Sequence, residues 1–416
     1  MIIGVDGARD RPGVVVAGAA MGGLRAAEQL RAAGWTGPVT VVGDERHMPY
    51  NRPPLSKEVL AGEVSHAAVA FRTRASVADV TWRLGTAVAA ADLTERRVTL
   101  ADGSTLPYAG LVVATGIRPR RLNCPGPRGG RHVVRTLDDA QALRGELRAG
   151  RRLVVIGAGF IGCEVAATAR GLGMEVTIVA PESEPMLRPL GERLGAALRR
   201  RHEARGVTFR LGRTIDRFLG GADGAGNGHG DDDRATGVVL DDASTVPADV
   251  VVEAVGSVPN TEWLAGNGLD LSDGVVCDAL LRVEGRPDVV AVGDIARFPN
   301  PRYDAVARRV EHWSVPTDSA KRAARTLAAQ LTGGAVDETP FAPLPTFWSD
   351  QYAERLQSFG APGLGAADIR LLEGELDADC VVGYHHADGR LVGIVALGGG
   401  AAVAAARYRG ALAAHA

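Results

Sequence analysis

The chain reads as an α/β protein with two Rossmann-like dinucleotide-binding domains, the second inserted into the first, and a small C-terminal α/β domain. Three stretches carry this expectation. The apolar run Gly13–Ala17 leads into Gly18-Ala19-Ala20-Met21-Gly22-Gly23 and a helical stretch to about Ala33. About 140 residues later, Leu153–Ile156 leads into Gly157-Ala158-Gly159-Phe160-Ile161-Gly162 and a second helical stretch. The tail, 330–416, opens with Pro/Phe-rich text (Phe341–Phe347) and carries strand-like runs near 380–384 and 391–396.

A strand, a glycine turn, a helix and a second strand ending in acids form a dinucleotide-binding βαβ unit. The helix N-terminus offers unpaired N–H groups and a positive dipole end to a pyrophosphate. In the first unit, Asp44 and Glu45 follow the strand Val39–Val42, placed to hydrogen-bond a ribose. Its turn uses Gly18, Gly22 and Gly23, but Ala20 stands at the second glycine position, so one methyl must be accommodated beside the pyrophosphate. The second unit has the full pattern in Gly157, Gly159 and Gly162, with Phe160 and Ile161 between them. Its second strand, Glu175–Val179, is followed by Ala180 where an acid is expected; either Glu182 reaches back to the ribose or nicotinamide selectivity is weak. No basic cluster replaces the acid, the nearest cation being Arg188, so NADH is favoured over NADPH.

Two apolar runs, Leu111–Arg120 and Asp249–Asn260, each close on a glycine (Gly116 and Gly256) and a proline, and read as paired crossings between the two domains. The expected boundaries are 1–118 with 248–329 for an FAD domain, 119–247 for an NAD domain and 330–416 for the C-terminal domain. A third run, Val289–Ala296, sets Asp294 after a strand, where an acid either binds a ribityl hydroxyl or caps a helix.

Composition narrows the function. The 416 residues exceed one ordinary core, and 46% apolar with 23% charged residues suits a globular protein. A net charge of −2 gives no reason to expect nucleic acid or an anionic membrane as partner. The N-terminus carries charges where a signal peptide needs an apolar core, and the longest uncharged run, Leu391–Ala406, is shorter than the roughly 20 residues that span a bilayer. It reads as a strand, a turn and the start of a helix, and the protein as cytoplasmic. The four cysteines (124, 163, 277, 380) form no CxxC and none lies between Asp44 and Val88, which excludes a zinc ribbon and a disulfide relay. No metal site is expected. His229, inside the Gly/Asp tract 220–233, reads as part of a solvated insertion in a hairpin loop.

Only two of the 47 basic residues are lysines, Lys57 and Lys321. A chain that writes nearly every cation as Arg keeps Lys at 57, three residues after the stiff Pro53-Pro54 pair, where a compact ammonium differs from a planar guanidinium.

Pro49-Tyr-Asn-Arg-Pro-Pro-Leu-Ser-Lys57, the Ala114-Thr-Gly-x-x-Pro run, Arg135-Thr-Leu-Asp-Asp-Ala140 and the second glycine motif with Glu164 recur together in one known group. So do Val292-Gly-Asp294, Glu311-His-Trp313 and Phe347-Trp-Ser-Asp-Gln-Tyr352. From about Val14 to its end, the chain resembles the oxygenase-coupled ferredoxin reductases, relatives of apoptosis-inducing factor in the pyridine nucleotide-disulfide oxidoreductase superfamily. The resemblance implies FAD contacts from the backbone around Gly22 and from Asp44, Arg52, Lys57, Val88, Arg135, Asp294 and Val315. It puts Trp313 and Trp348 beside the flavin, and Lys57 at the ring, paired with Glu164, as the candidate catalytic pair. The implied reaction moves hydride from NADH to FAD and single electrons to an iron–sulfur ferredoxin that feeds an oxygenase such as a cytochrome P450. Arg118, Arg120, Arg121, Arg128 and Arg131 read either as a basic face for such a ferredoxin or as a scattered solvated surface in an Arg-rich chain. A monomer or a homodimer is expected.

The chain departs from the group at Ala20, Ala180, Pro316-Thr317 and Gly398-Gly-Gly400. Two other readings therefore stand beside the first: an NADH-oxidising flavoprotein whose acceptor is oxygen, a quinone or another small molecule, and a flavin-poor, non-catalytic interaction module.

Overall fold

The computed structural model describes residues 12–62, 64–220 and 234–413. The expectations for the extreme N-terminus and for the tract holding His229 fall outside them.

Valine-rich runs with no polar face cannot sit at a solvent boundary, so they pair in parallel inside the core, covered on both faces. In the first sheet, Gly13–Ala17 lies between Val39–Gly43 and Thr105–Val113, parallel to both. Arg286–Ala291 adds beyond Thr105–Val113, and Thr81–Leu84 beyond Val39–Gly43. The helices Met21–Ala32 and Val315–Thr332 pack against each other over this sheet.

The second sheet is also parallel, ordered Val207–Leu211, Glu175–Ala180, Arg152–Ile156, Val250–Glu253 and Arg131–His132. This corrects the expected boundary at 248. Val250–Glu253 hydrogen-bonds to Arg152–Ile156, and the return crossing lies just beyond, where Ser257–Pro259 pairs antiparallel with Ile117–Pro119. The third sheet is antiparallel, ordered Thr346–Gln351, Glu354–Gly360, Leu391–Gly398, Cys380–His385 and Ile369–Gly374. The helix Ala401–Ala413 follows, as the uncharged run 391–406 suggested. No helix among the described residues is long and apolar enough to cross a membrane.

The two glycine turns repeat one geometry. Gly18 N–H donates to Val42 O and Gly157 N–H to Val179 O, both at 2.7 Å. Gly18 has φ +119° and Gly157 φ +103°, and a Cβ on either would lie about 2 Å from a neighbouring carbonyl, Ala114 O or Ala254 O. Only glycine lets strand and helix approach so closely. Ala20 and Gly159 are the matching N-caps, with φ −87° and −79°, so the alanine sits without backbone strain. The same register sets Ala180 opposite Gly43, Pro181 opposite Asp44 and Glu182 opposite Glu45.

The edge of the second sheet is pinned by one buried carboxylate. Glu253 accepts from Arg121 at 3.1 Å, Arg131 Nε at 3.0 Å and the Leu122 N–H at 2.7 Å. Of the arginines expected to face a partner, Arg131 is thus tied inward, while Arg121 is tethered to Glu253 and Arg118 to Glu262. Arg118, Arg120, Arg121 and Arg128 remain exposed. Glu253→Ala leaves Arg131, whose side chain is buried, without a carboxylate to pair its charge. It should destabilise the protein by about 3–5 kcal/mol, read as a clear drop in the urea midpoint; an unchanged midpoint contradicts this role.

Candidate functional site

One large cleft opens where the carboxyl ends of the first sheet meet the start of the helix Phe160–Gly171 and the first strand of the third sheet. Ligands of open α/β sheets bind at such strand ends.

Pro53 and Pro54 fix a short 3₁₀ turn, Pro53–Ser56, that buries Leu55 and Ser56 and ends on Lys57. The Lys57 ammonium donates to Pro53 O at 3.0 Å and to Glu164 Oε2 at 2.7 Å. An ammonium has three donors, which leaves one for the cleft that Lys57 lines. Glu164 is buried on the helix Phe160–Gly171 and is fully engaged. Its Oε2 also accepts from Ser56 Oγ at 2.5 Å, and its Oε1 from Ser349 Oγ at 2.6 Å. A carboxylate with three donors, one of them a cation, meets the conditions under which a buried charge is tolerated.

Deeper in the cleft, Asp294 faces Arg135 at 3.5 Å. Burial pushes the Asp294 carboxyl above its ordinary value and Arg135 pulls against that shift. Burial also lowers the Arg135 guanidinium. Arg135 Nε and His312 Nδ1 are buried with no partner. Burial pushes His312 down to about 4, so its ring is neutral near pH 7. These unsatisfied polar atoms beside a helix N-terminus and an acid suit a polar, anionic ligand with hydroxyls, and FAD fits that description. The rim is aromatic. Trp313 and Trp348 meet edge to face at 5.1 Å, and Phe160 meets Phe347 at 4.9 Å.

The cleft is lined by Ala20, Gly22, Arg52, Lys57, Arg135, Phe160, Ile161, Glu164, Asp294, Trp313 and Trp348, all singled out by sequence. Gly18 and Gly23 lie behind it and shape the turn. Asp44 is exposed at the end of its strand and accepts only the Glu45 N–H. Glu45 is a correction: its carboxylate is taken by Arg52 at 2.5 Å and by the Tyr50 hydroxyl, so Asp44 is the acid left for a ribose. Val88 starts a hairpin strand packed on the core, away from the cleft. Val315 is fully buried with its N–H on His312 O, and Pro316 faces the cleft instead.

Gly157, Gly159 and Gly162 form the second turn, and Gly256 (φ +93°) lies two residues past Ala254, the neighbour of Gly157. Glu182 pairs with Arg188 at 3.5 Å. Sequence reasoning passed over Ser56, Ser349, His312 and Phe347 as site residues. They lie inside the quoted motifs, but nothing local distinguishes a hydroxyl aimed at Glu164 from one facing solvent.

Fold and site together define a two-dinucleotide flavoprotein oxidoreductase. The chain belongs to the pyridine nucleotide-disulphide oxidoreductase family, whose description matches residues 12–320, and a reductase C-terminal domain matches 346–414. It is 38% identical over 402 residues to the anthranilate 1,2-dioxygenase system ferredoxin–NAD(+) reductase component of Burkholderia cepacia, covering 94% of this chain and 92% of that one. It is 36% identical to rhodocoxin reductase of Rhodococcus erythropolis, covering 92% and 85%. The crystal structure of the covalent putidaredoxin reductase–putidaredoxin complex matches with a TM-score of 0.86 and 32% identity, over 97% of this chain and 94% of that one. FAD and NAD(H) are the cofactors of this family.

Asp294 gives a test that separates ligand binding from folding. A carboxyl whose folded value is raised stabilises the fold most below its unfolded value, and that stability is lost as pH rises through the raised folded value. Asp294→Asn should therefore leave the apoprotein no less stable at pH 7, and narrow its advantage toward pH 4. The same change should weaken FAD binding by about tenfold or more, the scale of a hydrogen bond to a charged group. FAD titration and urea midpoints at both pH values check this; a lower midpoint at pH 7 with unchanged FAD affinity contradicts it.

Proposed function

We propose that this chain takes hydride from NADH and delivers the electrons singly to an iron–sulfur ferredoxin that serves an oxygenase, such as a cytochrome P450 or a ring-attacking dioxygenase. The observation that carries the reading is the Lys57–Glu164 pair, set in a cleft reached from both glycine turns. Bound FAD supplies the redox chemistry, accepting two electrons and releasing them one at a time. The protein's part is positioning and electrostatics. The third Lys57 donor points a localised positive charge into the cleft, where it stabilises electron density on a reduced ring. Glu164 keeps that cation paired and oriented. Trp313 and Trp348 supply flat apolar walls that exclude water.

The absence of any cysteine from Asp44 to Val88 supports an external acceptor over an internal disulfide. The relatives' names and the near full-length match support a ferredoxin as that acceptor. We assign FAD to 1–118 with the return segment to 329, NADH to the residues between the crossings, and the third sheet to the C-terminal domain. NADH is favoured over NADPH because no basic cluster follows the strand Glu175–Ala180, and Arg188, the nearest cation in the sequence, is held by Glu182 at 3.5 Å. A cytoplasmic setting fits the four free cysteines.

The test is anaerobic rapid mixing of the FAD-loaded protein with NADH, then with an oxidised ferredoxin of an oxygenase system. NADH should bleach the flavin band faster than NADPH, and ferredoxin should restore it faster than oxygen or a quinone does. Reoxidation that is indifferent to ferredoxin and fast with oxygen or a quinone would overturn the proposal in favour of an oxidase. A protein that takes up no FAD would favour a non-catalytic module.

A further inference from the structure

Glu164 anchors a second string of hydrogen bonds that leads away from the cleft into the core between the second and third sheets. Its Oε1 accepts from Ser349 Oγ at 2.6 Å. Ser349 Oγ accepts from Gln351 Nε2 at 3.0 Å, and Gln351 Oε1 meets His202 Nε2 at 2.7 Å. His202 Nδ1 meets the Tyr352 hydroxyl at 3.0 Å. The direction of every bond follows from its end. An ionised carboxylate only accepts, so the Ser349 hydroxyl donates to it and must itself be met by a donor, the Gln351 amide nitrogen. That leaves the Gln351 oxygen toward His202, whose Nε2 carries the proton, and Tyr352 donates to Nδ1. All four bonds point their hydrogens toward Glu164, and bonds aligned in this way polarise one another.

The string is buried from Glu164 to His202 and half-buried at Tyr352. Ser349 and His202 are 1% exposed, Gln351 7% and Glu164 4%. Ser349 and Gln351 alternate onto one face of the strand Thr346–Gln351, while His202 comes from the last turn of the helix Leu187–Glu203. Tyr352 has φ +57°, a left-handed conformation uncommon outside glycine. That turn brings its ring to 5.2 Å from His202 and under Arg205. Burial pushes the His202 ring below its ordinary value and keeps it neutral. An apolar core of the same shape would cost nothing in polar desolvation, so four buried polar side chains in register ask for a reason beyond packing.

We propose that Ser349, Gln351 and His202 are positioning residues for the hydride step: aligned on Glu164, they fix its carboxylate and, through it, the Lys57 ammonium in the cleft. This rests on the reading of the Lys57–Glu164 pair given above. It makes the seating of the third sheet and of the helix Leu187–Glu203 a determinant of flavin electrostatics, although neither His202 nor Gln351 lines the cleft.

The experiment uses the full-length, FAD-loaded protein with Glu164→Gln, Gln351→Met, His202→Leu and His202→Gln. It reads the midpoint potential of the flavin, its reduction rate at saturating NADH, and the His202 tautomer by ¹⁵N NMR of histidine-labelled protein. Gln351→Met and His202→Leu should each slow reduction about fivefold or more, the scale of one net hydrogen bond. Each should shift the potential in the direction that Glu164→Gln does, and the double variant should be no slower than the worse single one. His202→Gln, which restores a donor near the Nε2 position, should recover most of the rate, and His202 should appear as the neutral Nε2–H form. If His202→Leu fails to fold, Tyr352→Phe probes the same string from its far end and should move the potential in the same direction. Wild-type rate and potential in Gln351→Met beside a slow Glu164→Gln overturn the inference and leave the cleft reading standing. Wild-type behaviour in Glu164→Gln overturns the reading beneath it. Equal loss in His202→Gln and His202→Leu reduces the string to packing and also overturns the inference.

Discussion

The structure turns on one buried ion pair. Lys57 ends a proline-stiffened turn of the first unit, Glu164 rides the first helix of the second, and Ser349, which shares Glu164, belongs to the third sheet. Three units of the chain therefore meet at one carboxylate. Removing either partner of such a pair strands a buried charge, at about 3–5 kcal/mol, so the interaction constrains how the units are seated as well as what the cleft can do. The preference for Lys over the abundant Arg has a physical reading. A guanidinium would spread its charge over a planar fork, whereas the ammonium spends two donors on the protein and aims the third.

The rest of the architecture brings the two ends of that pair together. Each glycine turn closes against the neighbouring strand through a residue that must be glycine, and each launches a helix whose N-terminus faces the cleft or its edge. The paired crossings at Ile117–Pro119 and Ser257–Pro259 join the two units by an antiparallel contact as well. The helix that carries Glu164 follows directly from the second glycine turn, so the dinucleotide motif and the buried carboxylate are set by one short stretch of chain.

Much of this was legible because it is local. Strand, turn and helix follow from runs such as Gly13–Ala17 and Leu153–Ile156, and the internal repeat was visible as two glycine motifs. The Lys57–Glu164 pair was legible only through family resemblance, since 107 residues separate the partners. What escaped was decided by distant partners. Glu45 looks like a ribose acid until Arg52 and Tyr50 close on it. Arg131 looks like part of a docking surface until Glu253, more than 120 residues on, turns it inward. Val250–Glu253 has the composition of either sheet, and only its pairing with Arg152–Ile156 assigns it. The serines around Glu164 had no signal at all, because a hydroxyl's role is fixed by what it faces. Ala20 shows the converse: a departure that looked damaging is a helix N-cap in ordinary extended geometry.

The most direct measurement of the central claim is the midpoint potential of bound FAD in the protein and in Lys57→Met, at equal FAD occupancy. The methionine keeps the bulk of the side chain and removes its charge. If the ammonium stabilises the reduced ring, the potential falls by about 30 mV or more, a tenfold change for a two-electron couple. An unchanged potential would contradict the account and return Lys57 to a structural cation at the edge of the cleft.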